Sequence, residues 1–558
     1  MHLIFALSKI NYARTLLLIV GISANVRCTQ QPLSKTSPSS QILPSCLLPS
    51  LALVVLSYVK KSKYKRKTTM VLTPTIGEKS YNRQDWQKGY QSQPNEYDYE
   101  VEDIEGQIPA DLQGTVFKNG PGLLDIAGTA IAHPFDGDGM ISAISFNQGR
   151  VHYRNRFVKT EGYLQEQKAG KPLYRGVFGT KKPGGIFGNA FDLRLKNIAN
   201  TNVIYWGNKL LALWEAAEPH RLDAKTLDTI GLDYLDGILE KGDSFAAHPR
   251  IDPACIFDNH QPCLVNFAIK TGLSSSITLY EISPTGKLLR RHTHSIPGFC
   301  FIHDFVITPH YAIFFQNPVG YNPFPFLFGL KGAGECVINQ PDKLTKIIII
   351  PREPNKGEVK VLETPSGFVF HHSNAFAQGE KIYIDSICYQ SLPQLDSNSN
   401  FQSVDFDSLA PGHLWRFTLN LSENTVTREC ILEHCCEFPS INPAKVGRDY
   451  RYLYIAATHH ATGNAPLQAI LKLDLLTGEK QLHSFAPRGF AGEPIFVPKP
   501  DGIAEDDGWL LVVTYDAANH RSNVVILDAK DITNSLAVIH LKHHIPYGLH
   551  GSWTRQCF

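Results

Sequence analysis

The sequence predicts a mainly-β chain and, within that class, a β-propeller. Three observations carry this. From about Tyr81 onward the chain is a succession of short β-rich runs bounded by Gly, Asn, Asp and Pro. Long helical periodicity is scarce. No Ser/Gly/Pro linker divides the roughly 480 residues involved, and one radial architecture leaves fewer open sheet edges than a string of sandwiches. No blade repeat of the WD type is visible, so the pattern of strands alone carries the assignment.

The stretch before this body differs in composition. Residues 1–69 hold ten Lys/Arg and no Asp or Glu, which leaves 44 basic against 52 acidic residues downstream, a balance of −8. That balance excludes nucleic-acid binding as the work of the main body. The segments 16–22 and 47–59 are apolar, and the second is followed by KKSKYKRK; extended back to Ile42 it gives eighteen residues, but Pro44, Pro49 and three serines interrupt it. Three readings stay open for 1–69: a signal or membrane anchor with a basic flank, an acid-free transit peptide, or an extension upstream of a working start at Met70. The division expected is therefore 1–69, foreign to the fold, and 70–558, one propeller domain.

Along the body, the runs NVIYWGNKLLALWE, HYAIFFQNP, GEKIYIDSICY, RYLYIAATHH and GWLLVVTYD read as strands in turn, and helical segments are expected in the long insertions, for example around 222–240. Hydrophobic residues at 43% and charged residues at 19% suffice for a large core, which excludes intrinsic disorder. Eleven cysteines, an odd number without a C-x-x-C pair, argue against a disulfide scaffold and fit a reducing compartment.

Twenty-two histidines are too many for any one to be functional by presence alone. Context separates four. His248 in SFAAHPRIDP, His303 in GFCFIHDFVIT, His371 in GFVFHHSNAF and His550 in YGLHGSW each stand beside apolar or small residues, as at the end of a buried strand. One histidine per innermost strand would converge on a propeller axis. Four neutral imidazoles without a carboxylate ligand suit a borderline divalent metal, and a six-coordinate ion would keep two positions open, as Fe(II) and dioxygen need. Such histidines usually donate their other N–H to a carboxylate or a carbonyl. Glu215, Glu437 and Glu493, with Trp214, Phe438, Phe490 and Phe496 among their neighbours, are the glutamates expected to do so.

FKNGPG, HPFDGDGM, SFAAHPRIDP, FIHDF, FHHSNAF, FAGEPIFVP and LHGSW, in this order from Tyr81 to the end, resemble the carotenoid cleavage oxygenases. The stretches LKNIANTNVIYWGNKLLALWEAAEPHRL, GNAPLQAILK and HHIPYGLHGSW are similar to the family's cyanobacterial apocarotenoid-cleaving branch. The resemblance implies an all-β, seven-bladed propeller, with helical insertions and loops capping an iron-bearing axis. It implies Fe(II) held by His248, His303, His371 and His550, with Glu215, Glu437 and Glu493 each orienting one histidine and one histidine left without a glutamate. In the pair His371–His372 it assigns the ligand to the residue directly after the Phe. Thr201 matches a threonine whose methyl lies near an open iron position.

The implied activity is dioxygen-dependent cleavage of a central (15,15′) double bond of an apocarotenal or apocarotenol, giving retinal or a similar aldehyde. A polyene offers no acidic proton and no carbonyl at the scissile carbons, so iron and dioxygen supply reactivity and the protein supplies geometry. An apolar substrate needs an apolar tunnel, for which Phe135, Trp214, Phe301 and Phe370 are the expected lining. NPFPFLFGL, residues 322–330, is either a buried loop or a bilayer contact through Phe324, Phe326 and Phe328. A cytoplasmic monomer, peripherally associated with membrane, is expected. Rival readings are cleavage of another carotenoid or a stilbene bond, an isomerohydrolase, a non-enzymatic apocarotenoid binder, and a calcium or zinc hydrolase, the last of which should show oxygen ligands.

Overall fold

A computed structural model describes residues 79–272, 274–353, 357–394 and 401–558. The readings made for residues 1–69 and for Met70 lie outside the described residues.

Seven sheets of four or five antiparallel strands form the seven blades of a β-propeller. Their innermost strands, in chain order, are β1 (Asn202–Trp206), β2 (Arg250–Asp252), β3 (Val306–Ile307), β4 (Phe368–Gln378), β5 (Cys436–Ser440), β6 (Gly489–Pro498) and β7 (Gly551–Thr554). The ring is closed from both ends of the described chain. β7 pairs with Gly114–Leu123, and Ile104–Gly106 adds to the outside of the blade that begins with β6.

The burial pattern across a blade explains the composition of its strands. Middle strands are packed on both faces by neighbouring blades and read as continuous apolar runs: Ile347, Ile348, Ile349 and Ile350 are all fully buried. Outermost strands alternate, as in LLRRHTHSIP (Leu288–Pro297) and TVTRECIL (Thr425–Leu432), and present charged or polar side chains where a bare edge would invite pairing. The core therefore lies between blades. One such layer joins Val116, Ile144 and Phe146 to Val497, Leu511, Val524 and Ile526, across the two blades that close the ring; each such side chain contributes about 1.5–3 kcal/mol on burial.

Two sequence motifs turn out to be scaffold. In FKNGPG, Asn119 bonds both sides of the closure: its N–H donates to His550 O (2.8 Å), its O accepts from Leu549 N (2.8 Å), and its Nδ2 donates to Ala199 O and Asn202 O. Gly120 follows because a Cβ there would stand 2.6 Å from Gly548 Cα. In HPFDGDGM, buried Asp136 accepts from Phe178 N and Thr180 N and Oγ1.

Four α-helices occur among the described residues, α1 (Arg83–Lys88), α2 (Glu161–Ala169), α3 (Gly185–Asn189) and α4 (Phe324–Leu327). The helix expected around 222–240 is absent. Asp223 caps a turn there by accepting from Lys225 N and Thr226 N, His220–Leu222 and Thr229–Leu232 form a hairpin, and only the 3₁₀ turn Leu235–Gly237 follows. The spacing of Leu235, Ile238 and Leu239 that suggests a helix comes from a loop dropping three side chains into one core cluster. Among the described residues, no helix is long and apolar enough to cross a membrane.

Candidate metal centre

Each of the seven innermost strands carries, or closely follows, one residue singled out above: the four histidines, two of the glutamates behind them, and Thr201. In four it comes just before the strand begins: Thr201 before β1, His248 before β2, His303 before β3 and His550 before β7. The other three carry it inside the strand, and each has a β-bulge at that point. The register of β4 slips between Val369 and His372, that of β5 between Glu437 and Pro439, and that of β6 between Ala491 and Pro494. A bulge inserts one residue and re-aims the side chains beside it; the residues re-aimed here are His371, Glu437 and Glu493. In β5 the inserted residue, Phe438, takes a left-handed backbone with φ of 57°, a conformation an aromatic residue adopts only when its surroundings impose it.

The structure brings His248, His303, His371 and His550 together, with one ring nitrogen from each lying within 4.8 Å of all the others. Nε2 of His303 is 3.2 Å from Nε2 of His371. Three rings are held from behind at Nδ1: His371 by Glu437 Oε2 at 2.5 Å, His550 by Glu493 Oε1 at 2.9 Å, and His303 by Glu215 Oε1. His248 has no glutamate, and its buried Nε2 has no hydrogen-bond partner. His372 belongs elsewhere: its Nδ1 meets Ser386 Oγ at 2.7 Å and its ring packs on Phe315.

Behind the rings lies a second layer of polar contacts. Glu493 Oε2 accepts from Lys118 Nζ at 2.7 Å, and Glu437 accepts from Tyr389 Oη at 2.9 Å and from Phe438 N at 2.8 Å. Arg250 ties three of the inner strands, donating to Asp304 Oδ2 (2.5 Å), Phe305 O (2.9 Å) and His372 O (2.9 Å).

These contacts set the protonation of the site. Burial, followed by the charge of the other three imidazoles, drives His248 well below its ordinary value and keeps it neutral. Burial also lowers His550, against the opposing pull of Glu493. For His371 burial works the same way, but the Glu437 carboxylate outweighs it and the group is held above its ordinary value. Glu493, though burial favours its neutral form, is pulled down to about 2 by Lys118 and His550. The donor set is thus four nitrogens, at least one of them without a partner, ringed by three carboxylates and a single ammonium. It fits a divalent transition metal rather than calcium or magnesium, which take oxygen ligands.

The expected lining residues divide. Phe370 packs edge-on to His303, with ring centroids 5.6 Å apart, and Phe301 lies in the same aromatic cluster with Phe299, Tyr321 and Tyr389. Trp214 is buried in an adjoining cluster with Val177, Ile198 and Phe326. Phe135 is exposed and edge-on to His133 and Phe178, and its carbonyl accepts from Asn200 Nδ2, next to Thr201. Thr201 itself is buried, and its carbonyl accepts from His550 N at 3.2 Å. Two aromatic residues went unidentified from sequence: Phe438, whose ring sits 5.5 Å from that of His371 and 5.4 Å from that of His550, and Tyr321, which belongs to both aromatic clusters and whose buried hydroxyl lacks a partner.

At 322–330 the expectation needs correcting. Phe324 and Phe328 are exposed, but Phe326 is 1% exposed and sits under the Arg175 guanidinium, 3.9 Å above its ring. The single turn of α4 points the middle Phe inward, so the three cannot share one outer face. Arg175 also donates to Phe326 O, Asp192 O and Lys331 O, which locks α4 to the segment after α3. Phe191 N donates to Leu327 O at 2.7 Å, and the Phe191 and Phe328 rings meet at 5.7 Å. The exposed apolar face therefore includes Ile186, Phe187 (100% exposed) and Phe191 beside Phe324, Phe328 and Leu330.

A seven-bladed propeller with four histidines on its axis, three of them backed by glutamates, defines a class. Residues 90–555 match the retinal pigment epithelial membrane protein family, and the chain belongs to that family, the carotenoid oxygenases. It is an enzyme of the carotenoid cleavage dioxygenase type. Among its relatives, the apocarotenoid-15,15′-oxygenase of Synechocystis is 60% identical over 485 residues, 87% of this chain and 99% of that protein. The lignostilbene-α,β-dioxygenase isozyme III of Sphingomonas paucimobilis is 30% identical, over 81% of this chain and 93% of its own. The crystal structure of the cobalt-substituted Synechocystis enzyme superposes with a TM-score of 0.85 at 60% identity, covering 86% of this chain and all of that one.

Proposed function

We propose that this chain is an iron(II)-dependent dioxygenase that cleaves the central (15,15′) double bond of an apocarotenal or apocarotenol, giving retinal or a retinal-like aldehyde. The observation that carries the reading is the ring of four imidazoles, three of them held at Nδ1 by buried or half-buried carboxylates, in a chain 60% identical to an apocarotenoid-15,15′-oxygenase across nearly its whole length. Iron bound there by His248, His303, His371 and His550 would supply the reactivity toward dioxygen that no side chain of the site possesses.

The chain's own residues do the rest. Glu215, Glu437 and Glu493 fix the tautomer and the plane of their histidines, presenting Nε2 inward, and make each ring a stronger donor. Phe370, Phe301, Tyr321 and Trp214 form an apolar wall beside the imidazoles, which suits a polyene and excludes water. Thr201, whose carbonyl accepts from His550 N, precedes the one innermost strand that carries neither a ligand histidine nor a supporting glutamate.

The face formed by Ile186, Phe187, Phe191, Phe324 and Phe328 is proposed to rest on a bilayer. Phe326, on its underside, belongs to the same cluster as Trp214, so a lipid-dissolved substrate could pass from this face toward Glu215 and His303 without crossing water. A peripheral, monomeric, cytoplasmic enzyme is the form consistent with this reading; the nine cysteines among the described residues are free thiols.

The test is product analysis. Protein loaded anaerobically with Fe(II), then given an apocarotenal and isotopically labelled dioxygen, should yield retinal and a second, shorter carbonyl product, with label in the carbonyls. A retinol isomer without label, or turnover of a stilbene alone, would replace this reaction by one of its rivals.

A further inference from the structure

Away from the axis, one buried cluster has no part in the chemistry above. Cys255 follows β2 and Cys263 opens the neighbouring strand Cys263–Lys270; both are fully buried, and their sulfurs lie within 4.8 Å of each other and of an Asp252 oxygen. Between them points the fully buried Arg352 guanidinium. Its Nε donates to Glu281 Oε1 at 2.8 Å, and its Nη1 to Asp252 Oδ2 at 2.7 Å and to Thr308 O and Pro309 O. Its Nη2 donates to two sulfurs, Cys255 Sγ at 3.7 Å and Cys263 Sγ at 3.4 Å.

A thiol is a weak acceptor and a thiolate a strong one. A buried guanidinium nitrogen whose donors end on two sulfurs is therefore best satisfied when one sulfur is ionised and the other keeps its proton. The surroundings agree. The Cys263 thiol, the Phe257 N–H and the Arg352 charge together hold the Cys255 thiol below its ordinary value, against burial and against the Glu281 carboxylate, whose Oε2 accepts from the protonated Cys255 thiol at 3.9 Å. A cation would meet the opposite field: Asp252 is already paired with both Arg352 and Arg448 (2.8 Å), and the Arg290 guanidinium lies 3.6 Å over the ring of nearby Phe257. The pair lies under a single turn whose residues 259–261 are exposed. That turn carries two non-glycine residues in left-handed conformation, Asn259 and His260, and peroxide must reach the pair past it.

We propose that Cys255 and Cys263 form a redox-active dithiol, with Arg352 as its positioning residue, that hydrogen peroxide converts reversibly to a disulfide. The Cys255 thiolate attacks one peroxide oxygen: the S–O bond forms, the O–O bond breaks, and hydroxide leaves. The Cys263 sulfur then attacks the resulting sulfenic sulfur. An S–S bond forms and the S–O bond breaks, and the second hydroxide departs with the Cys263 proton as water. Two thiols are oxidised and one peroxide is reduced to two waters, the first hydroxide taking its proton from solvent.

The full-length protein, treated with hydrogen peroxide at neutral pH, then denatured, alkylated and digested, reports each cysteine by mass. Burial pushes the Cys300 and Cys388 thiols up to about 11, so these serve as internal comparators. The Cys255–Cys263 disulfide should accumulate at least about tenfold faster than either comparator loses its thiol, and dithiothreitol should restore both thiols. Arg352→Lys, which keeps the charge but loses the fork, should slow the reaction; the comparison within the unmodified protein stands even if that variant fails to fold. Oxidation no faster than at Cys300 overturns the proposal. So does stoichiometric Zn(II) that survives dialysis in the wild type and is lost in Cys263→Ser, which would make the cluster a metal site.

Discussion

Lys118 and Glu493 form a buried ion pair, with Nζ 2.7 Å from Oε2, while the other oxygen of the same carboxylate holds His550. Of the three glutamates behind the imidazoles, Glu493 has an ammonium at its back, Glu437 a tyrosine hydroxyl and a backbone N–H, so the histidines do not sit in equivalent fields. Removing one member of a buried pair strands the other's charge, at a cost of about 3–5 kcal/mol. Lys118→Met should therefore lower the unfolding temperature markedly and reduce bound iron, whereas Lys118→Met with Glu493→Gln should regain much of the stability without regaining the iron. Thermal unfolding and metal analysis on the three proteins decide it; a double variant no more stable than the single one would refute the stranded-charge account.

Glutamate-to-glutamine changes at 215, 437 and 493 keep size and remove the charge that orients an imidazole. Each should weaken iron affinity or turnover roughly 10 to 100-fold. Tyr389→Phe takes one hydrogen bond from the Glu437 carboxylate, a loss of about 1.5–3 kcal/mol of stability, but leaves the charge that orients His371 and should cost tenfold or less in iron affinity or turnover. Metal titration followed by steady-state rates separates the two sizes of effect, and a Tyr389→Phe defect as large as that of Glu437→Gln would move the tyrosine into the machinery itself.

Alanine at His248, His303, His371 or His550 should remove most iron and activity and leave a folded propeller, because the core lies between the blades and not at the axis. His372→Ala should do the reverse. That ring fills space against Phe315 and bonds Ser386, so stability should fall while iron stoichiometry holds. Wild-type iron in two of the first four variants would remove the metal assignment.

The contrast between adjacent histidines marks what could be read from sequence. The four site histidines were legible because each stands where a loop enters an innermost strand or where that strand bulges, a position bordered by small or apolar residues. Glu437 and Glu493 were legible for the same reason. Lys118 was not: its partner is 375 positions away, and nothing local distinguishes it from a strand lysine. Phe438 escaped because its approach to His371 and His550 comes from the bulge itself, which adds one residue without a sequence marker. Seven blades came only from resemblance, since short strands without a repeat do not count themselves. The helix expected in the insertion at 222–240 failed because a hairpin and a 3₁₀ turn span it and drop Leu235, Ile238 and Leu239 into one core cluster. At 322–330 the sequence left a buried loop and a bilayer contact through all three Phe open, and neither holds for the whole stretch, because two prolines and a single helical turn send Phe326 to the core and leave Phe324 and Phe328 exposed. The segment GGIFGNAF, which supplies Ile186, Phe187 and Phe191, reads as a glycine loop and gave no warning.

This last difference changes the membrane test. A triple change of Phe324, Phe326 and Phe328 would confuse docking with folding, because truncating buried Phe326 alone should cost about 3–5 kcal/mol. The informative variant is Phe187→Ser, Phe324→Ser and Phe328→Ser, all at exposed positions. Each Phe withdrawn from lipid should weaken docking by about 1.5–3 kcal/mol at most, so binding to liposomes in a sedimentation assay should fall steeply while the unfolding temperature stays near wild type. Turnover of membrane-dissolved substrate should slow, and turnover of substrate delivered in dilute detergent should not. Phe326→Ser should give the opposite pattern, with poor stability and aggregation. Because residues 1–69 carry their own apolar and basic segments, the comparison belongs in protein beginning at Met70, which retains every site residue. Unchanged liposome binding by the folded triple variant would reject this face as the docking surface.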